Sequence, residues 1–180
     1  MKKLWIISAA AVLAISLTAC GAGDVGASSQ GTSSKASSQA SSQAASSTIK
    51  VEASSVSDNL AGLEKYLAGN ASVTGSPEDM NKEMIGAKNG ARYKYGYSGK
   101  DNVTLELYEY DLNNLNDTAK KVISDVKSTG KFTVIGQPVN AVLSKSGKYL
   151  MIYKNTATDD ANKAYGTQLK NLFTDFKAEP

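Results

Sequence analysis

The chain has 180 residues, of which 20 are Lys or Arg, 17 are Asp or Glu and none is His. Without His it lacks the commonest general base and the commonest metal ligand. The near balance of charges provides no concentrated basic surface for nucleic acid. Composition therefore argues against histidine-based catalysis and against a nucleic-acid partner.

The N-terminal segment has the pattern of a secretory signal. Lys2 and Lys3 precede an apolar run over residues 4–17 that only Ser8 and Ser16 interrupt. This run is shorter than the ~20 apolar residues that a membrane-spanning helix requires, and small residues follow it, as at a cleavage site. We predict a signal peptide over residues 1–19. Loss of Lys2 and Lys3 with the signal lowers the formal net charge from +3 to +1.

The segment Leu17-Thr18-Ala19-Cys20 ends on the one cysteine of the chain. It resembles the lipobox of bacterial lipoproteins. That resemblance implies cleavage before Cys20 and lipidation of its sulfur with a diacylglyceryl group, with palmitate-type acyl chains as the membrane anchor. It implies a lipid-anchored protein on the extracytoplasmic face of the cell membrane. The alternative is an ordinary secreted protein in which the cysteine follows by chance.

Residues 20–56 are rich in Ser, Ala and Gln, as in Lys35-Ala36-Ser37-Ser38-Gln39. They carry almost no large apolar side chain, so little burial is available to offset the entropy of ordering. We predict a flexible tether that carries a folded domain over residues 57–180. The domain must be stabilised by its core, because lipidation of Cys20 leaves no thiol for a disulfide.

Two helices are predicted at the start of the domain. Ser57-Asp58-Asn59 is a capping sequence, and Leu60, Leu63, Tyr66 and Leu67 recur at helical spacing before Gly69-Asn70. Ser76-Pro77-Glu78-Asp79 has the order of a second helix start, with Met80, Met84 and Ile85 as its apolar stripe.

Two strand-strand-helix units are predicted next. In the first, residues 91–97 and 103–110 alternate as strands, and a helix follows over about 115–128. In the second, residues 132–135, 139–143 and 148–153 are strands, Ser144-Lys145-Ser146-Gly147 is a hairpin turn, and Thr158-Asp159-Asp160 caps a last helix. Each helix is apolar on one stripe only. We therefore expect a two-layer α+β domain, an antiparallel sheet with helices on one face, in the order α-α-(β-β-α)-(β-β-α).

No segment of the sequence matches a complete motif for catalysis or for metal binding. Ser144-Lys145 could form a Ser-Lys pair, but Ser, Gly and Lys are expected in a hairpin turn for backbone reasons. The segment Asp111–Asn116 begins like a calcium loop, yet Leu115 occupies the fifth position, where an oxygen ligand is needed. We predict no catalytic residue, no metal site and no cofactor.

Tyrosine is the one remaining enrichment, with nine in the chain. We single out a possible binding surface on the predicted strands: Tyr93, Tyr95, Tyr97, Tyr108 and Tyr110. Exposed tyrosines can stack on sugars or grip peptides. The competing interpretation, which we favour, is that tyrosine is simply a good strand residue that faces the helices.

The sequence favours a non-catalytic binding or interaction module whose partner is an unknown protein, peptide or cell-wall glycan. The alternatives are a carboxylate-based cell-wall hydrolase and an accessory subunit of a membrane complex. The tether, Met84-Ile85-Gly86-Ala87 and Gly147-Lys148-Tyr149-Leu150-Met151 resemble stretches of uncharacterised lipoproteins from Gram-positive bacteria of the clostridial kind. That resemblance implies no activity, and Cys20 is the only site residue that it transfers.

Overall fold

The structure, a computed structural model, describes residues 50–178. The strands in this range are β1 (Glu78–Asp79), β2 (Asn89–Tyr95), β3 (Val103–Glu109), β4 (Lys131–Val134), β5 (Gln137–Asn140), β6 (Val142–Leu143) and β7 (Tyr149–Asn155). The α-helices are α1 (Leu60–Ala71), α2 (Asp117–Thr129) and α3 (Asp160–Asp175), and short 3₁₀ helices cover Ala53–Ser55 and Lys82–Ile85. The predicted α+β class is confirmed.

The main sheet has the strand order β1-β2-β3-β7-β6, and every neighbouring pair is antiparallel. β4 and β5 form a separate hairpin. In the main sheet, Glu106 of β3 lies between Arg92 of β2 and Ile152 of β7. Because side chains alternate along a strand, Leu105 and Leu107 point to the face opposite Glu106.

α1 and α3 pack together on the face that Leu105 and Leu107 share. This core joins Leu63 and Leu67 of α1 to Leu169 and Phe173 of α3, and all of them are fully buried or nearly so. Asn59 caps α1 by accepting a hydrogen bond from the Gly62 N–H at 2.9 Å. The larger of the two cores therefore lies between these helices and the sheet.

α2 lies on the opposite face, which corrects the expectation of helices on one face. Its buried residues Ala119, Val122 and Val126 belong to a second core with Tyr108 and Leu150 of the sheet. An amphipathic stripe shows that a helix packs on a sheet, but it does not show on which face. Because α2 and α3 cover different faces, the two strand-strand-helix units are not equivalent.

The predicted second helix from Pro77 is also wrong. Glu78–Asp79 instead pair with β2 as an edge strand, and residues Lys82–Ile85 form only a 3₁₀ helix. Gly86 ends that turn in the left-handed region, at φ 68°. A Cβ at Gly86 would meet the Asn116 side chain and Ala119 at the start of α2. The segment is too short to repay helix nucleation once its residues pair with β2.

The ordered packing begins before the predicted domain start at residue 57. Val51 and Ala53 pack against the core, Val56 is buried, and Asn70 Nδ2 donates to the Val51 carbonyl at 2.7 Å. The rest of the predicted tether and the predicted signal peptide lie outside the described residues. Both cores are built within residues 50–178. A fragment that spans residues 44–180 therefore contains the packing needed to fold on its own.

The β4–β5 hairpin turns through Ile135 and Gly136, which have φ of 48° and 74°. Two central residues with positive φ are typical of a type I′ turn, which favours Asn-Gly. A β-branched residue in that conformation is an outlier. The Ile135 side chain is also 85% exposed, so packing does not repay its strain.

Replacing Ile135 by Asn is therefore expected to stabilise the domain by about 1 kcal/mol, since the left-handed conformation costs a non-glycine residue ~1–2 kcal/mol. In a domain of this size, that gain raises the thermal midpoint by about 3 °C. Thermal unfolding of residues 44–180, followed by circular dichroism, measures the effect. Ile135→Val is the control and retains the strain. An unchanged or lower midpoint for Ile135→Asn would contradict this explanation.

Candidate functional site

A groove of about 400 Å³ opens on the α2 side of the sheet, where α2 does not cover β2 and β3. The β4–β5 hairpin forms one wall and the segment 79–85 forms another. Its apolar lining consists of Met80, Met84, Ile85, Phe132, Val134, Val139 and Ile152. Met84 is 42% exposed. These seven apolar residues are joined by six polar or charged ones, and a concave groove of this size is in the range of small-ligand sites.

The polar side chains at the centre of the groove floor are hydrogen-bonded to one another. Glu106 Oε1 accepts from Arg92 Nε at 3.0 Å and from Arg92 Nη2 at 2.8 Å. Glu106 Oε2 accepts from the Tyr108 hydroxyl at 3.0 Å. β3 pairs with β2 and β7 along its whole length, so its backbone groups are also used. Glu106 and Tyr108 can therefore lie beneath an apolar ligand and keep their hydrogen bonds. Arg92, whose side chain is 35% exposed, uses only two of its five N–H donors in these bonds, so the others need water or an acceptor on the ligand.

Lys154 lies at the edge of the same groove, one row of the sheet beyond Glu106. Its side chain is exposed, and no carboxylate of residues 50–178 lies within ion-pair distance of it. By contrast, Lys94 in the same row is paired with Glu78 at 3.0 Å. Asp79 of β1 also lines the groove and has no ion-pair partner among residues 50–178. The groove thus carries an unpaired cation on β7 and an unpaired carboxylate on β1, and β2 and β3 lie between these two strands.

The five tyrosines singled out from the sequence do not form an exposed surface, which corrects that hypothesis. Tyr93, Tyr95, Tyr108 and Tyr110 are buried, and Tyr97 is partly buried. Tyr93, Tyr95 and Tyr97 point toward α1 and α3, whereas Tyr108 and Tyr110 belong to the second core. For Tyr93, Tyr95 and Tyr97, the interpretation that the side chains face the helices is therefore better than the interpretation of an exposed binding surface. Of the five, Tyr108 alone lines the groove.

Hydrogen bonding and stacking explain why the β2 tyrosines are buried. The Tyr95 and Tyr165 hydroxyls lie 2.6 Å apart, and the Tyr165 hydroxyl donates to the Ala71 carbonyl at 2.9 Å. Tyr97 stacks on Tyr165 with ring centroids 3.8 Å apart. Burial and the nearby Glu64 carboxylate raise the pKa of Tyr93 to about 12. These tyrosines join β2 to the helices and are not available for a ligand.

A second, more open pocket of about 350 Å³ lies beside the N-terminus of α1 and is lined by four carboxylates: Glu64, Glu78, Asp79 and Glu109. Two of the four are already engaged. Glu109 Oε2 accepts from the Leu60 N–H and from Asn89 Nδ2, and Glu78 pairs with Lys94. Burial raises the pKa of Glu64, although a hydrogen bond with Tyr93 opposes that shift. This pocket is the feature that the carboxylate-hydrolase alternative would need.

The raised pKa of Glu64 predicts a pH-dependent effect on stability. Between its ordinary pKa and its raised pKa, the folded state binds more protons than the unfolded state, so stability falls as pH rises through that window. Glu64→Gln removes this loss. We expect the variant to gain stability over the unaltered domain at pH 7 but not at pH 3, measured by urea unfolding. Glu83→Gln, at an exposed position, is the control. An equal difference at both pH values would refute the assignment.

Cys20, the predicted lipidation residue, lies outside the described residues. Among residues 50–178, no cluster of three or more Asp, Glu, His or Cys side chains could hold a metal ion. No helix in the described part of the chain is long and apolar enough to cross a bilayer.

The groove was not predicted from the sequence, because its walls come from segments that are distant along the chain. No family model, curated protein or solved structure matches this chain.

Proposed function

We propose that this chain is an extracytoplasmic lipoprotein, anchored in the cell membrane through Cys20, whose folded domain is a non-catalytic module that binds an apolar ligand. The lipobox Leu17-Thr18-Ala19-Cys20 supports the anchor. The groove carries the binding proposal, because seven of its thirteen lining residues are apolar and Glu106, at the centre of its floor, is hydrogen-bonded to Arg92 and Tyr108. Two acyl chains on Cys20 suffice for stable anchoring, whereas one holds only marginally.

Met80 and Met84 add to the case for binding. Unbranched, polarisable methionine side chains adapt to ligands of different shape and are common at binding surfaces that must repack. The exposed Ile135 follows Val134, a lining residue of the groove, in the turn of the β4–β5 hairpin. Strain held at an exposed position is a feature of functional sites more often than of stable scaffolds.

The anchor is tested in cells by Cys20→Ala. We expect the membrane-bound fraction to fall at least tenfold, with the protein released or left unprocessed, because no other thiol can accept the lipid. Ser16→Ala, within the apolar run, leaves the lipobox intact and is the matched control. Membrane association of Cys20→Ala with an unchanged lipid label would refute the anchor.

The groove is tested with residues 44–180 and the neutral apolar dye N-phenyl-1-naphthylamine. We expect its fluorescence to rise on binding and Val139→Asp to weaken that binding at least tenfold, because the substitution places a charge in the groove wall. Thr133→Asp places the same charge at an exposed position of β4 and is the control. Equal binding by both variants, with native circular dichroism, would refute the groove as the site.

A cell-wall hydrolase remains the second candidate, favoured by the carboxylate pocket and the raised pKa of Glu64. A general acid needs a carboxyl group that keeps its proton near neutral pH. The assay is release of reducing sugar from cell-wall glycan, compared between the unaltered domain and Glu64→Gln. Hydrolysis that this substitution abolishes would favour the enzyme over the binding module.

A further inference from the structure

The groove has a charge pattern that selects one class of ligand, and this inference rests on the proposed binding function. We propose that the groove binds a fatty carboxylate, a medium-length acyl chain whose carboxylate head pairs with Lys154. The chain would lie over Ile152 and the Arg92–Glu106 pair, between Met80 and Val139. The charge of the head, the chemistry of the chain and the size of the groove each support this ligand.

An anionic head fits at Lys154, because this lysine has no carboxylate partner among the described residues and the other unpaired charge of the lining, Asp79, lies on β1, with β2 and β3 between them. Arg92 and Lys94 already have carboxylate partners in Glu106 and Glu78. Lys154 has none among the described residues, and it lies at the edge of the groove, where its ammonium group remains hydrated. A carboxylate at this edge gains an ion pair without the cost of burying two charges. A cationic head would instead be repelled by Lys154.

The chain must be largely free of hydrogen-bonding groups. The backbone N–H and C=O groups of β3, at the centre of the floor, are hydrogen-bonded to β2 and β7. The Glu106 carboxylate already accepts hydrogen bonds from Arg92 and Tyr108. The N–H and C=O groups of a peptide lying on this floor would lose water without gaining partners there, a cost of ~1–3 kcal/mol for each group. An acyl chain has no such groups, so it leaves no polar group of its own unpaired on entering.

The dimensions fit this ligand. A groove of about 400 Å³ is in the range of small-ligand sites, which run from ~300 to ~1,000 Å³. The flexible Met80 and Met84 side chains can close over a chain of variable length. A medium-length chain would bury most of its surface there while its head stays at Lys154.

The test compares three probes of equal chain length on residues 44–180: decanoate, decan-1-ol and decyltrimethylammonium. Displacement of N-phenyl-1-naphthylamine is followed below the critical micelle concentration of each ionic probe and below the solubility limit of decan-1-ol. We expect decanoate to bind about threefold more tightly than decan-1-ol, as an exposed ion pair allows, and the cation to bind most weakly. Lys154→Gln should remove the advantage of decanoate over decan-1-ol. Lys170→Gln, an exposed lysine of α3, is the matched control.

Two outcomes would overturn the inference. Affinities independent of the head group would remove the role of Lys154, and equal losses in Lys154→Gln and Lys170→Gln would show that overall charge is responsible. If the dye binds in the groove but decanoate has no advantage, the ligand class is wrong and the binding function stands. If the dye binding is insensitive to Val139→Asp, both proposals fail.

Discussion

Replacing Glu109 by Ala is expected to lower the free energy of unfolding by about 3 kcal/mol, because it leaves two N–H donors without their acceptor and removes one carboxylate neighbour of Lys148, which keeps its ion pair with Asp58. Glu109 is only 4% exposed. Its Oε2 accepts from the Leu60 N–H at 3.0 Å and from Asn89 Nδ2 at 2.9 Å, and its Oε1 lies 3.7 Å from Lys148 Nζ. Leu60 is the first residue of α1, so the carboxylate also satisfies a free N–H at a helix N-terminus.

Urea unfolding of residues 44–180 measures this effect. Glu109→Gln retains one acceptor oxygen and should lose less than Glu109→Ala. Glu83→Ala, at an exposed position without a hydrogen bond or ion pair among the described residues, should change stability by less than about 0.5 kcal/mol. If Glu109→Ala costs no more than Glu83→Ala, the buried carboxylate does not hold α1 to the sheet.

Gly62→Ala is expected to destabilise the domain by about 2 kcal/mol, although Gly→Ala inside a helix normally stabilises by ~1 kcal/mol. A Cβ at Gly62 would collide with the backbone carbonyl of Ser57, which cannot move without disturbing the Asn59 cap. Gly69→Ala is the comparison in the same helix, because its Cβ would meet the Val51 side chain, at Cγ2 and Cβ, and no backbone atom closer than 4.0 Å. Chemical denaturation compares the two. A stabilised Gly62→Ala would contradict the close approach at the start of α1.

The elements with strong local signals could be predicted from the sequence. Asn59 caps α1 where the capping sequence indicated, and Asp159 caps α3 in the same way. The alternation of residues 103–110 predicted β3, and Ser144–Gly147 turns the chain before β7 as expected. In each case, side-chain spacing and backbone hydrogen bonding favour the same structure, so no distant contact is needed to decide it.

The errors arose where distant contacts decide the structure. The residues after Pro77 have good helix-start chemistry, but pairing of Glu78 with Arg92 on β2 makes them an edge strand. The face that α2 covers depends on how the chain crosses the sheet after β3, which periodicity does not encode. Of the candidate tyrosines, Tyr108 alone reached a groove, because alternation places residues on a face without showing what covers that face.

The most direct test of the account is a methyl NMR titration of residues 44–180 with decan-1-ol. We expect shifts in the methyl groups that line the groove, those of Met80, Met84, Val139 and Ile152. Met151 and Leu169, on the α1/α3 side of the sheet, should not shift. Shifts that are confined to that side, or spread evenly over both cores, would contradict a binding groove on the α2 side.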